Sequence, residues 1–124
     1  MSGRISSVKL LLPPVLLLMA LCSSSLAADE ITIDAKYAAQ HVGESVVVHG
    51  TVAEVHQFKG GSISLDFGAK YPKDVFEVYI PVNLVSVTGN MREYESKEMD
   101  VEGTVILYKG KPEIKLEDAG QLRR

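Results

Sequence analysis

From Ser45 the side chains alternate in a period of two, with Val46, Val48 and Val52 on one face and Val47, His49 and Thr51 on the other. β-branched residues suit a pleated surface, so this stretch reads as a strand. Val55 is apolar but out of phase with Val52, and a bulge near Ala53–Glu54 would restore the phase. Lys59–Gly61 makes a turn. A second strand follows, with Ile63, Leu65 and Phe67 inward and Ser62, Ser64 and Asp66 outward. Residues 68–74 read as a loop. The third strand places Phe76, Val78 and Ile80 inward and Glu77 and Tyr79 outward, and Pro81 ends it. A fourth strand runs from Glu98 to Tyr108, with Val101, Val105 and Leu107 inward and Glu102, Thr104 and Tyr108 outward. After a turn at Lys109–Pro112, residues 113–117 close the pattern with Ile114 and Leu116 inward.

Two segments break the alternation. Asp34 is placed to cap a brief helix rich in alanine (Ala35, Ala38, Ala39), with His41 in its last turn and Gly43 just beyond. Tyr37 and Val42 are its expected anchors to the body. Residues 83–96 lack alternation and read as a connection containing a short helix over Asn90–Ser96. The tail from Asp118 is expected to fray. The order is thus helix, three meandering strands, a partly helical connection and a hairpin. It predicts a mainly β fold: a five-stranded Greek-key barrel of the OB type with a short N-terminal helix. An open antiparallel sheet with helices on one face is the competing architecture.

The pentapeptide VHGTV at Val48–Val52 returns as VEGTV at Val101–Val105. Its valines face inward, so Gly50 and Gly103 face inward too, where a tightly coiled strand leaves no room for a side chain. The residue that varies, His49 against Glu102, is the outward one. The repeat therefore reads as one structural demand met twice.

Ahead of the domain, Arg4 and Lys9 precede an apolar run over Leu10–Leu21, followed by small residues that include Ser25 and Ala27. This is the layout of a secretory signal peptide, with cleavage after Ala27 or Ala28. The expected organisation is a leader over 1–27 and one domain over 28–124, its core spanning about 31–118. The apolar run is shorter than the roughly 20 residues of a comfortable membrane span. Export to a bacterial periplasm is the expected localisation. Secretion and lipidation at Cys22 are alternatives, and Leu21 before Cys22 fits a lipoprotein signal poorly. Without the leader the chain has no cysteine, so neither a disulfide nor a thiol nucleophile is available. Of 13 basic residues two belong to the leader; 11 then face 16 acidic ones, a net charge of about −5.

The stretches HVGESVVVHGTVAEV, LDFGAKYPKDVFEVYI and VEGTVILYKGKPEIKLED resemble the small OB-fold nucleic-acid-binding-like proteins, akin to tRNA-anticodon-binding domains. The resemblance spans roughly residues 31–118. It implies an oligonucleotide-type ligand across the second and third strands, bordered by the first–second and fourth–fifth loops. Carried onto this chain, it points to Lys59, Lys109 and Lys111 in those loops and to Tyr79 and Phe58 on the strands. Acids outnumber bases, however, and exposed aromatics for stacking are few.

The residues themselves add Lys70 and Lys73, because Lys59, Lys70, Lys73, Lys109 and Lys111 all fall in the predicted hairpin loops. Glu93, Glu95, Glu98, Asp100 and Glu102 crowd elsewhere. A basic rim can attract phosphates despite an acidic total; equally, loop lysines keep turns soluble and guard strand edges. Tyr71 is a stacking residue or a plug over the barrel end, and Tyr79 and Tyr108 present a ligand face or cover helices. His41, His49 and His56 have no ligating spacing, so no metal site or cofactor is expected. No nucleophile elbow or phosphate-cradling loop occurs, and a catalytic role is not expected. Asp66 and Glu77 could face each other as paired carboxylates, or simply be solvated. Two readings remain: a non-catalytic exported binder of single-stranded nucleic acid or nucleotides, or a cell-envelope module for a cationic small molecule or a protein partner.

Overall fold

The computed structural model describes residues 30–123; the leader and Cys22 lie outside the described residues. Each stretch read as strand contains strand, but the strand count is eight rather than five, and the last long strand runs Lys111–Lys115 rather than over 113–117. β1 (Thr32–Asp34) leads into a 3-10 helix, Ala35–His41. There follow β2 (Ser45–Gln57), β3 (Ile63–Phe67), β4 (Phe76–Ile80), helix α1 (Val82–Thr88) and a 3-10 turn, Met91–Tyr94. β5 (Glu98–Thr104), β6 (Ile106–Tyr108), β7 (Lys111–Lys115), a 3-10 turn at Ala119–Gln121 and β8 (Leu122–Arg123) complete the chain.

The strands form one mixed sheet in the order β6-β7-β4-β3-β2-β5-β8, with β1 added in parallel on β2. A closed hydrogen-bonded barrel, the expected architecture, is not what forms. The predicted fourth strand breaks at Val105. Its first part, β5, pairs with β2, and its second part, β6, pairs with β7. β5 and β6, near opposite ends of the strand order, are therefore joined covalently through Val105 and not by a ladder. Val105 accepts a bond from the Gly43 amide (2.7 Å) and donates one to the Glu44 carbonyl (3.0 Å). The break also corrects Leu107, which is exposed rather than inward.

The alternation builds the core as the pattern implies. Val48, Val52, Leu65, Phe67, Phe76, Val78, Ile80, Val101, Val105 and Ile114 are buried, and Phe67 meets Phe76 edge-on at 5.3 Å between ring centres. The bulge lies where the phase slip placed it, between Val52 and Glu54. A Cβ on Gly50 would lie 2.9 Å from the Ala35 Cβ and 3.0 Å from the Phe67 ring. One on Gly103 would lie 2.7 Å from the Ile114 Cγ2. The repeat thus marks two places where a strand passes close over the core.

Asp34 accepts from the Lys36 amide at 3.0 Å, as a cap should, although the turn it starts is 3-10 rather than α. Ala35 and Ala38 bury this turn; Tyr37 and Val42, the expected anchors, are exposed. Small side chains let the backbone sit directly on the sheet, which leaves larger ones no space beneath. The connection holds α1, which sequence periodicity missed, and only four residues of the expected Asn90–Ser96 helix. The tail from Asp118 to Arg123 is held to the body rather than frayed. Gln121 Oε1 accepts from the Glu117 (2.7 Å) and Asp118 (2.8 Å) amides, its Nε2 donates to the Glu102 carbonyl, and Leu122 is buried. Arg123 then bridges Glu102 at 2.6 Å and Glu30 at 3.0 Å. No helix among the described residues is long and apolar enough to cross a membrane.

Candidate functional site

The face of β2, β3, β4 and β7 opposite the core carries every second residue of those strands. The curl of the sheet brings β6 and the loop at Tyr71–Pro72 around it. The result is a groove with a cavity volume of about 1250 Å³. Strand register lays its floor in two transverse rows. One row runs Glu54, Asp66, Glu77, Glu113 from β2 through β3 and β4 to β7, each beside the next. The other runs His56, Ser64, Tyr79, Lys115. Phe58, Tyr71, Tyr108, Lys109 and Lys111 complete the walls.

The floor is drier than its polar sequence suggests. Ser64, Asp66 and Glu113, expected or open to face solvent, are buried, because the curled walls cover them. Ser64 Oγ donates to Asp66 Oδ1 at 3.1 Å. Like charges directly opposite on neighbouring strands repel, and burial adds a desolvation cost. Burial, with the Asp74 charge next, raises the Asp66 carboxyl to about 6. Burial, then a hydrogen bond with Asp74 and the charges of Asp74 and Asp66, raises Glu77 to about 7. Burial raises Glu113 as well. Near neutral pH the Glu77 carboxyl is therefore partly protonated; in that form it donates a hydrogen bond, and when ionised it only accepts.

Behind the row lies Asp74, a loop residue with a fully buried side chain. Lys111 pairs with it, stands 3.8 Å from Glu77 Oε2 and donates to the Pro72 carbonyl at 3.2 Å. Burial alone would lower the Lys111 ammonium; the hydrogen bond to Asp74 and the charges of Asp74, Glu77 and Asp66 hold it above its usual value instead. Its Nζ lies 5.2 Å from the centre of the Tyr71 ring. Phe58 touches His56 edge-on at 4.7 Å between centres and approaches Tyr79 at 6.4 Å. Lys109 Nζ stands 5.3 Å from the Tyr108 ring centre.

Of the eight residues singled out in sequence, the groove brings together Phe58, Tyr71, Tyr79, Lys109 and Lys111. Lys59, Lys70 and Lys73 are exposed and do not line it. Sequence reasoning missed Glu54, Glu113, Lys115 and Asp74 as members of the site. The outward phase of the strands could have found the first three, but nothing local marks Asp74. The histidines do not converge: His41 pairs with Glu44 at 2.8 Å, and His49 sits on the far strand pair, 2.5 Å from Asp100. The hydrogen bond to Asp100 raises the His49 imidazole above its usual value.

No family model matches the chain. No curated protein matches it either. Among solved structures it is similar to a putative aspartyl-tRNA synthetase from Leishmania major Friedlin. The TM-score is 0.54 at 14% identity, over 82% of this chain and 21% of that one. At that identity the likeness is one of fold. The chain spans about a fifth of that protein's length.

Proposed function

We propose that the chain is an exported, non-catalytic binding protein of the OB type that holds single-stranded nucleic acid or a nucleotide in the groove. Its Greek-key core would be β2, β3, β4, β5–β6 and β7, a connectivity supported by the parallel β4–β7 pair and the β6–β7 hairpin. The leader pattern supports export to the periplasm.

The observation that carries the reading is the composition of one continuous concave surface. Aromatic rings of Phe58, Tyr71, Tyr79 and Tyr108 stand among Lys109, Lys111 and Lys115 above a floor of hydrogen-bonding carboxyls. Bases stack on aromatic faces, each worth about 1–3 kcal/mol, while ammonium groups take phosphates. Carboxylates accept from exocyclic base amines, as they do from cytosine N4, so an acidic floor is compatible with bases turned inward and phosphates outward. The likeness to a synthetase of tRNA supports the same direction.

Titration of the mature protein with labelled single-stranded oligonucleotides at two salt concentrations tests this. Affinity should fall steeply with salt and should drop in Tyr79→Ala and in Lys109→Glu. Absence of binding at low salt rejects the reading.

The row Glu54–Asp66–Glu77–Glu113 favours one second reading, a cationic small molecule held over the carboxyls and between the aromatic rings. Such a ligand would bind the protein whose oligonucleotide titration is flat.

A further inference from the structure

The carboxylates under the groove outnumber their counter-charges. One ligating oxygen from each of Asp66, Asp74 and Glu77 lies within 4.8 Å of the others. Among the described residues Lys111 is the cation that pairs with them, and it reaches Asp74 and Glu77. Asp74 Oδ2 is buried and no N–H or hydroxyl group among the described residues donates to it, although the other oxygen of the same carboxylate is engaged by Lys111; the Glu77 carboxyl hydrogen-bonds to Asp74 when it carries a proton. A buried carboxylate oxygen without a donor is costly, and native proteins rarely leave one without a role.

We propose that Asp66, Asp74 and Glu77 form a binding site for a hard divalent cation such as Ca²⁺ or Mg²⁺, entered from the groove. The donor set consists of carboxylate oxygens with neither thiolate nor imidazole, the chemistry that suits those ions rather than zinc or copper. Asp66 and Glu77 line the groove, so water can complete the coordination shell from that side. Asp74 supplies the ligand from behind. A bound cation compensates the adjacent charges of the row and takes up the idle Asp74 oxygen.

Lys111 is the built-in competitor. Its ammonium already sits against Asp74, with the Pro72 carbonyl and the Tyr71 ring as further partners on the loop side. Entry of a metal pushes the ammonium toward those partners, so removing its charge should tighten metal binding. The inference is independent of the groove's ligand, since a titration with metal alone contains no oligonucleotide.

The test is tyrosine-sensitised Tb³⁺ luminescence of the mature protein, followed by displacement with Ca²⁺ and with Mg²⁺. Tyr71 lies close enough to Lys111 to serve as the donor ring. Emission should saturate at one ion per chain and be reversed by Ca²⁺ or Mg²⁺. Asp74→Asn and, separately, Glu77→Gln should weaken it by roughly tenfold or more, and Lys111→Gln should strengthen it. Glu44→Gln, away from the groove, should leave it unchanged. Far-UV circular dichroism identifies any variant that fails to fold, and Glu77→Gln then stands in for Asp74→Asn. The proposal is overturned if neither wild type nor Lys111→Gln gives emission that Ca²⁺ or Mg²⁺ displaces. It is equally overturned if the folded carboxylate variants bind like wild type.

Discussion

Asp66 and Glu77 lie directly opposite each other on β3 and β4, two carboxyls in register beneath the groove and both held toward the protonated form. A pair of ionised acids at that spacing would weaken the sheet. The structure tolerates the pair because one or both can keep a proton, and that ties the strand pairing to pH.

Both folded values, about 6 for Asp66 and about 7 for Glu77, lie above the ordinary 3.8 and 4.5. The stability these groups contribute is therefore complete below the ordinary values and is lost as pH rises through the folded ones. The protein should melt higher at pH 5 than at pH 8. The effect is bounded by something on the order of 3 kcal/mol per group and is lowered by water in the groove. Urea melts across that window should flatten in Asp66→Asn/Glu77→Gln. An unchanged slope in the double variant would assign the pH dependence elsewhere.

Gly50→Ala and Gly103→Ala should each destabilise the fold by about 1–3 kcal/mol, because the added methyl overpacks the core. The Ala35 Cβ facing Gly50 cannot rotate away, and the Ile114 Cγ2 facing Gly103 sits on a stiff branched side chain. Denaturant midpoints measure this directly. Wild-type stability in either variant would mean that the strands do not pass as closely over the core as described.

Gln121 satisfies three backbone groups at once, two amides through its oxygen and the Glu102 carbonyl through its nitrogen. Gln121→Ala should cost on the order of 1–3 kcal/mol, the range for leaving polar groups without partners. Hydrogen exchange should show the amides of Glu117 and Asp118 losing protection in this variant while those of β3 keep theirs.

The lysines should divide by position. Lys109→Glu or Lys115→Glu should weaken oligonucleotide binding and reduce its salt slope by about 0.7 for each phosphate no longer neutralised. Lys59→Glu, Lys70→Glu and Lys73→Glu, outside the groove, should change the slope little. A uniform response across all five would point to diffuse attraction instead of a defined groove.

Much of this architecture is legible in the order of residues. Alternation locates every long strand, the slipped phase of Val55 locates the bulge, and the Val-Gly repeat locates two close approaches. What escapes depends on non-local geometry. Ser64 and Asp66 alternate with core residues and so look solvated, because alternation reports which face a residue takes but not whether the sheet curls over that face. Asp74 reads as an ordinary loop acid until the fold carries Lys111, far along the chain, to its side. Helix α1 is missed because VNLVSVT is rich in β-branched residues that favour strands, and the burial of Thr88 and packing of Leu84 and Val85 on the core override that preference. Leu107 reads as inward only while Glu98–Tyr108 is taken as one strand, whereas the chain changes partners at Val105.

The bridge from Arg123 to Glu30 has a consequence for how such a unit can be built into larger proteins. The bridge ties the two ends of the described segment together through their side chains, and neither residue lines the groove. A unit with adjoining ends can be spliced into a loop of a host protein without stretching either partner. Grafted there on short linkers, it should keep its fold and its open groove.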